Sequence, residues 1–344
     1  MSRRSFHGRT VVITGGSSGI GRATGRRFAA AGANVVLAAR SEAALEEAVA
    51  ECRAAGGRAI AVPVDVADPA GPVRLVNRAL QDFGRVDVWV NSAGVMSYGA
   101  LGDTPIATQR RIIEVNLLGV MWGTRAVLPT MKEQKHGVII NVSSLYGKVA
   151  TPYVSGYAAS KFGILGFSQV VRQELRKVPG VSICVVLPGS MDTPIFRNAA
   201  NYTGRRARPV PPVGDPDRVA RAILRLARRP RRQVTVGMVQ HLATLAHAWV
   251  PGLYAELAPS AMRFVALGKD DEERHEGNVF DPLGAHGVTG GWRHRGRNVA
   301  VCGAVVGAVG LGWAVRSPRR RFAPGWAGHL SDSGSVRARL GGIT

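Results

Sequence analysis

The sequence predicts an α/β fold: a doubly wound parallel sheet of about seven strands with helices on both faces, followed by a C-terminal helical and loop extension. Three observations predict it. Strand-like and helix-like segments alternate through the first 240 residues. The strand-like runs are continuously apolar, as expected of strands buried on both faces. The first run ends in a glycine-rich turn that opens directly onto a segment with helical spacing.

Each element follows in order. Val11–Ile13 reads as a strand, Ile20–Ala31 as a helix and Asn34–Ala39 as the second strand. Glu42–Ala55 is Ala-rich with acidic residues in its first turns, the pattern of a helix N-terminus. Arg58–Val64 is a third strand, Pro72–Phe83 a third helix and Asp87–Val90 a fourth strand. One long helix is predicted over Thr108–Lys132, a fifth strand over Gly137–Val142, and a second long helix over Ser155–Lys177, stopped by Pro179-Gly180. Val181–Leu187 is a sixth strand, Asp215–Arg229 a helix and Gln233–Val236 a seventh strand. The apolar stretch Met238–Leu267, broken by Pro251 and Pro259, reads as two helices. Lys269–Glu276 reads as a charged, solvated stretch and Asn278–Arg297 as a loop. The implied organisation is a catalytic domain over 1–240, an extension over 241–292 and a basic tail over 293–344.

Composition narrows the function classes. The net charge is +22, with the excess concentrated in Arg205–Arg232 and the last fifty residues. No zinc finger, helix-turn-helix or aromatic-studded strand accompanies it, so nucleic acid is not the expected partner. Cys52, Cys184 and Cys302 are far apart, which argues against a disulfide framework or a metal site. No apolar signal core precedes the first strand, and a cytoplasmic location is expected. Val299–Val315 is seventeen residues without a charge, about 26 Å as a helix. It contains Gly303 and Gly307 as a GxxxG pair and is flanked by arginines, so membrane association through 299–315 is one reading and a helix packed on protein the other.

The turn reads Thr14-Gly15-Gly16-Ser17-Ser18-Gly19-Ile20-Gly21. Glycines there allow backbone N–H groups to approach a phosphate at the positive end of the next helix. Tyr157-Ala158-Ala159-Ser160-Lys161 places Tyr and Lys on one helix face, where an ammonium favours the phenolate. Ser143-Ser144 closes the fifth strand, and Ser144 lies thirteen residues before Tyr157.

In this order and spacing the motifs resemble the single-domain branch of the short-chain dehydrogenases/reductases, over about residues 8–240. The resemblance implies a Rossmann-like fold and an oxidoreductase that moves a hydride between a nicotinamide coenzyme and a carbonyl or alcohol. It implies a coenzyme site built from Gly15, Ser17, Ser18, Gly19, Ile20 and Gly21, with Asp65-Val66 at the adenine. Asn91, Ala93 and Gly94 line the cleft, with Ser92 where the family has a second Asn. Pro188, Gly189 and Thr193 stand at the nicotinamide. Ala39 occupies the position where NAD-preferring relatives carry Asp, and Arg40 can pair with a 2′-phosphate, so NADP(H) is the expected coenzyme.

The catalytic set implied is Asn116, Ser144, Tyr157 and Lys161. Tyr157 exchanges the proton with the substrate oxygen, and Lys161 also holds the ribose. Ser144 orients the carbonyl, with Ser143 as the alternative, and Asn116 distorts its helix and holds a relay water. Met96, Tyr98, Tyr153 and Ser144 are the expected substrate contacts, joined by Leu145, Met191 and Phe196, in a partly apolar pocket for a lipophilic small molecule. A homodimer or homotetramer through the two long helices is implied as well. The competing function classes are a catalytically silent NADP(H)-binding scaffold and a protein acting on membrane or nucleic acid through its basic tail.

Overall fold

The computed structural model describes residues 6–237, 244, 247, 249, 251–282 and 284–293. The described residues all belong to one compact unit. The 299–315 segment, Cys302 and the tail beyond Arg293 lie outside the described residues. Among those described, no helix is long and apolar enough to cross a membrane.

The chain lays down β1 (Thr10–Thr14), α1 (Gly19–Ala30), β2 (Asn34–Ala39), α2 (Glu42–Ala54), β3 (Arg58–Pro63), α3 (Ala70–Phe83) and β4 (Val88–Asn91). The short β5 (Ser97–Tyr98) follows, then α4 (Ile106–Ile113), α5 (Gly119–Glu133), β6 (Gly137–Val142), α6 (Ser155–Glu174) and β7 (Val181–Pro188). Next come β8 (Ala200–Asn201), β9 (Arg205–Ala207), α7 (Pro216–Arg228), β10 (Gln233–Val236), α8 (Pro251–Val265) and β11 (Leu267–Asp271). Seven strands form one parallel sheet in the order β10-β7-β6-β4-β1-β2-β3. Strand order reverses between β1 and β4, so the loops after these two strands open a crevice at the carboxyl edge.

Alternation along each strand divides the core in two. Val11, Ile13, Val35 and Leu37 pack with Phe28 of α1, Leu45 of α2 and Ile223 of α7 on one face. Val12, Val36 and Trp89 pack with Leu75 of α3, Met131 of α5 and Val171 of α6 on the other. Both faces being covered explains why the strands read as unbroken apolar runs.

Three departures from the sequence reading have local causes. The helix predicted over Thr108–Lys132 is interrupted by one π turn over Glu114–Leu118. This turn widens the helix where the Asn116 side chain reaches Val95 and Ser160. Leu267–Asp271 forms a strand at the start of the exposed charged stretch: β11 pairs antiparallel with β9, and Arg208 bridges to Asp270 at 2.5 Å. Opposite charges on the two strands conceal the pairing from a hydropathy pattern. The segment after α6 tightens into a 3-10 turn over Leu175–Lys177 before Pro179-Gly180.

Asp87, fully buried, receives the Thr10 N–H at 2.9 Å and returns its own N–H to the Thr10 carbonyl. It thereby fixes the entry of β4 beside β1. Replacing it (Asp87→Ala) leaves a buried donor unmatched, and a loss of about 2 kcal/mol is expected. Urea unfolding followed by circular dichroism measures it.

Candidate active site

The glycine turn between β1 and α1 is a cradle that side chains would fill. A Cβ on Gly21 would lie 2.1 Å from the Gly15 carbonyl oxygen, and one on Gly15, whose φ is +69°, would meet Ala93 Cα at 2.8 Å. Ser18 stands at the N-cap of α1 in extended conformation, and the helix has no acidic residue in its first turn. The positive end of α1 therefore meets no acidic side chain of its own first turn, and its Gly19 N–H bonds the Gly287 carbonyl at 3.0 Å. Thr14 Oγ1 accepts the N–H groups of Ser92 and Ala93 at 3.1 and 3.3 Å, which ties the loop after β4 to the turn. The Cβ position of Gly94 is 3.3 Å from Asn116 Oδ1 and 3.7 Å from Lys161 Nζ, so only glycine leaves this part of the groove open. A dinucleotide fits such a surface: closely approachable backbone along the floor and a helix N-terminus at its centre.

At the far end of the groove stand Ala39, Arg40, Asp65 and Val66, within one cavity with Gly15, Ser17 and Ser18. Asp65 pairs with Arg111 of α4 and accepts the Ala67 N–H at 3.0 Å. The Arg40 guanidinium reaches the backbone carbonyls of Asn278 (2.5 Å), Val279 (3.3 Å) and Phe280. Burial holds its pKa below the ordinary arginine value. Neither Arg111 nor the 278–280 backbone is visible as a site element in the sequence, because both partners come from distant segments. At the other end Pro188 closes β7, the Gly189 N–H bonds Val236 O at 2.8 Å, and Thr193 lies against Gly19.

A chain of buried polar groups sets the position of α6. Trp89 Nε1 donates to Asn91 Oδ1 (2.7 Å), Asn91 Nδ2 to Asn141 Oδ1 (2.8 Å) and Asn141 Nδ2 to Ser168 Oγ on α6 (3.0 Å). One helical stretch earlier, Ser143 Oγ donates to Lys161 O at 2.9 Å. Asn116, fully buried in the π turn, closes on both backbone groups of Val95 at 2.8 and 2.9 Å. It also donates to Ser160 Oγ at 3.2 Å, and Ser160 in turn donates to Tyr157 O.

The four residues picked from the sequence therefore converge. Lys161 Nζ donates to Val142 O at 3.2 Å and sits 5.3 Å from the centre of the Tyr157 ring. Ser144 Oγ accepts the Tyr146 N–H at 3.1 Å and lies near enough to the Tyr157 hydroxyl to favour its phenolate. Of the two serines, Ser144 is therefore the one beside the Tyr157 hydroxyl, while Ser143 donates to the α6 backbone. Burial pushes the Tyr157 phenol up to about 12, partly offset by Ser144, and brings the Lys161 ammonium down to about 8. The sequence suggests a phenol lowered by its lysine. In this dry pocket desolvation outweighs that attraction.

Of the expected substrate contacts, Met96 and Tyr98 are buried at 2% and 1% exposure and form an apolar cluster with Tyr157 rather than an open wall. Tyr153 is half-buried at the same cluster, in the left-handed region (φ 68°), with its carbonyl accepting the Gly99 N–H. Leu145 packs elsewhere, with Val185 and Leu187. Two further contributors are not legible in the sequence. Tyr146 meets the Tyr157 ring edge-on at 6.1 Å, and Met262 of α8 closes the cluster from the extension.

Comparisons with known proteins bear on the family and the fold. The family model described as short chain dehydrogenase matches residues 9–203. An uncharacterized oxidoreductase, YxnA, of Bacillus subtilis is 35% identical over 295 residues, covering 82% of this chain and 81% of that protein. The 3beta-hydroxysteroid dehydrogenase 1 of Eggerthella lenta is 38% identical over 237 residues, covering 66% of this chain and 90% of its own. The crystal structure of a short chain dehydrogenase/reductase from Burkholderia phymatum in complex with NAD superposes with a TM-score of 0.64 at 27% identity, over 83% of this chain and all of that one.

The cradle argument gives a direct test. Gly21→Ala forces its methyl into the Gly15 carbonyl, so nicotinamide dinucleotides should no longer raise the melting temperature of this variant, whereas they raise that of the wild type. Differential scanning fluorimetry with and without coenzyme reads the difference.

Proposed function

The chain belongs to the short chain dehydrogenase family, and on that premise we propose that it is an NADP(H)-dependent oxidoreductase acting on the carbonyl or secondary alcohol of a lipophilic small molecule, with Tyr157 as the proton-transfer residue. The observation that carries the reading is the buried meeting of Tyr157, Ser144, Lys161 and Asn116 beside the glycine cradle.

A bound nicotinamide supplies the hydride in reduction and accepts it in oxidation. In reduction, the Tyr157 hydroxyl gives its proton to the substrate oxygen, and a phenol held near 12 is in the donating form at neutral pH. Lys161, with a pKa near 8, still carries most of its charge there and stabilises the phenolate left behind. In oxidation the same proton returns to Tyr157. Ser144, beside Tyr157, would hold the substrate oxygen at the point of transfer. Asn116 spans the backbone of Val95 and Ser160 and keeps α6 in register with the loop after β4. Gly15 to Gly21 would hold the diphosphate, Asp65 and Val66 the adenine, Asn91, Ala93 and Gly94 the cleft wall, and Pro188, Gly189 and Thr193 the carboxamide.

Two observations support the finer assignments. Ala39 ends β2 without a carboxylate, and Arg40 stands at the rim of the same cavity, which favours a 2′-phosphate over a bare ribose. The surroundings of Tyr157 are apolar, with Met96, Tyr98, Val154 and Met262 in its cluster, which favours a lipophilic substrate. A homodimer or homotetramer through α4–α5 and α6 is part of the proposal, supported by the exposed apolar side chains of Ile106, Phe162 and Val170 on those helices.

Turnover with NADPH across a panel of carbonyl compounds tests the reading. Tyr157→Phe should remove nearly all turnover, a fall of about 10³-fold or more, while NADPH affinity measured by fluorescence titration is kept. Wild-type kcat in that variant refutes the role. Arg40→Ala should lower kcat/KM for NADPH about tenfold more than it lowers the value for NADH.

A further inference from the structure

The family match ends at residue 203, yet the coenzyme groove has a wall that lies beyond it. The segment Gly277–Trp292 crosses the mouth of the groove from the β2–β3 rim to the loop after β7. At the first rim Arg40 grips the carbonyls of Asn278, Val279 and Phe280, and Val279 is fully buried among Val66, Val95, Ile112 and Val115. At the second rim the buried carboxylate of Asp192 accepts two strap N–H groups, from Gly290 at 3.0 Å and Trp292 at 2.8 Å. Such bonds to an ionised acceptor are the strong ones. The Trp292 ring meets Phe196 edge-on at 6.4 Å and lies 5.4 Å from the Arg197 guanidinium. Gly290 is pressed so closely that a Cβ there would lie 2.4 Å from Thr193 O.

Between these anchors the strap is thin. Asp281, Pro282, Gly284 and Gly287 are exposed, and the Gly287 carbonyl takes the Gly19 N–H at 3.0 Å. Asn278 and His286 look onto the same cavity as Gly15, Ser17, Ser18 and Asp65. The strap thus encloses the space over the turn, and a neutral carbonyl holds one of the donors polarised for a phosphate. An incoming diphosphate can displace that carbonyl, since an anion is the better partner at a helix N-terminus.

We propose that residues 277–292 are a roof over the coenzyme, with Asn278 and His286 as coenzyme-contacting residues and Asp192 with Trp292 as the latch that must release for the coenzyme to exchange. The proposal rests on the dinucleotide reading of the groove. It makes the strap, which lies outside the matched family region, part of the binding site and the element that sets coenzyme residence time.

The test uses the full chain and three variants: Asp192→Ala, Trp292→Ala and His286→Ala. Stopped-flow fluorescence gives NADPH association and dissociation rates, and hydrogen exchange by mass spectrometry follows the strap amides. Asp192→Ala and Trp292→Ala should speed dissociation about tenfold and also speed association, with faster exchange over 277–292 even without coenzyme. His286→Ala should weaken NADPH affinity several-fold and leave strap exchange as in the wild type. Trp292 lies outside the groove, so its variant stands as the test if Asp192→Ala fails to fold. If the latch variants loosen the strap but coenzyme rates match the wild type, the roof is overturned while the dinucleotide site stands. If the wild type binds no dinucleotide at all, both fall.

Discussion

The polar chain running from Trp89 through Asn91 and Asn141 to Ser168 is the constraint on which the site depends. Amides buried in the middle of a sheet are costly unless every donor and acceptor is matched. Here the matching partner of the last amide is a hydroxyl on α6. Moving α6 by even one residue would leave Asn141 unpaired in the core, so the sheet dictates the axial position of the helix. Tyr157 and Lys161 inherit that position.

The electrostatics follow from the same packing. The site is dry enough to raise a phenol and depress an ammonium at once, and both shifts have burial as their leading cause. Each group on its own is disfavoured in its charged form. At neutral pH the phenol is therefore neutral and stands beside a lysine that is still mostly charged. The apolar ring of Met96, Tyr98, Val154 and Met262 maintains that dryness. The last of these comes from the extension, so the extension takes part in the chemistry's environment as well as in the groove.

Much of this was legible in the chain before any coordinates. The sheet strands announced themselves because burial on both faces demands continuous apolar runs. The turn and Tyr157–Lys161 were legible because their chemistry fixes residue type and local spacing together. What escaped was everything whose partner lies far away. Arg111 meets Asp65 across 46 positions, and Arg40 meets carbonyls about 240 positions on. Backbone carbonyls have no residue identity, so no sequence pattern can mark them as acceptors. Strand β11 escaped for a related reason: its pairing with β9 runs along charged residues, where hydropathy carries no alternation. The π turn is implied only through the resemblance at Asn116, because five residues of helix look alike in sequence whichever carbonyl each N–H chooses.

That turn has a consequence for how the protein tolerates change in length. Glu114–Leu118 holds more residues per revolution than the helices on either side. Removing a single residue there would restore a regular α-helix at little local cost, and the chain would still fold into helix. The remaining residues of α5 would keep nearly the same phase relative to α4, because four α-helical residues at about 100° each turn about as far as the five residues of the wider coil. The loss would fall on Asn116, whose side chain would no longer be held out to Val95 and Ser160. A one-residue deletion at this point is thus mild for the packing of α5 on the sheet and felt at the pocket, so the extra residue serves the pocket rather than the fold.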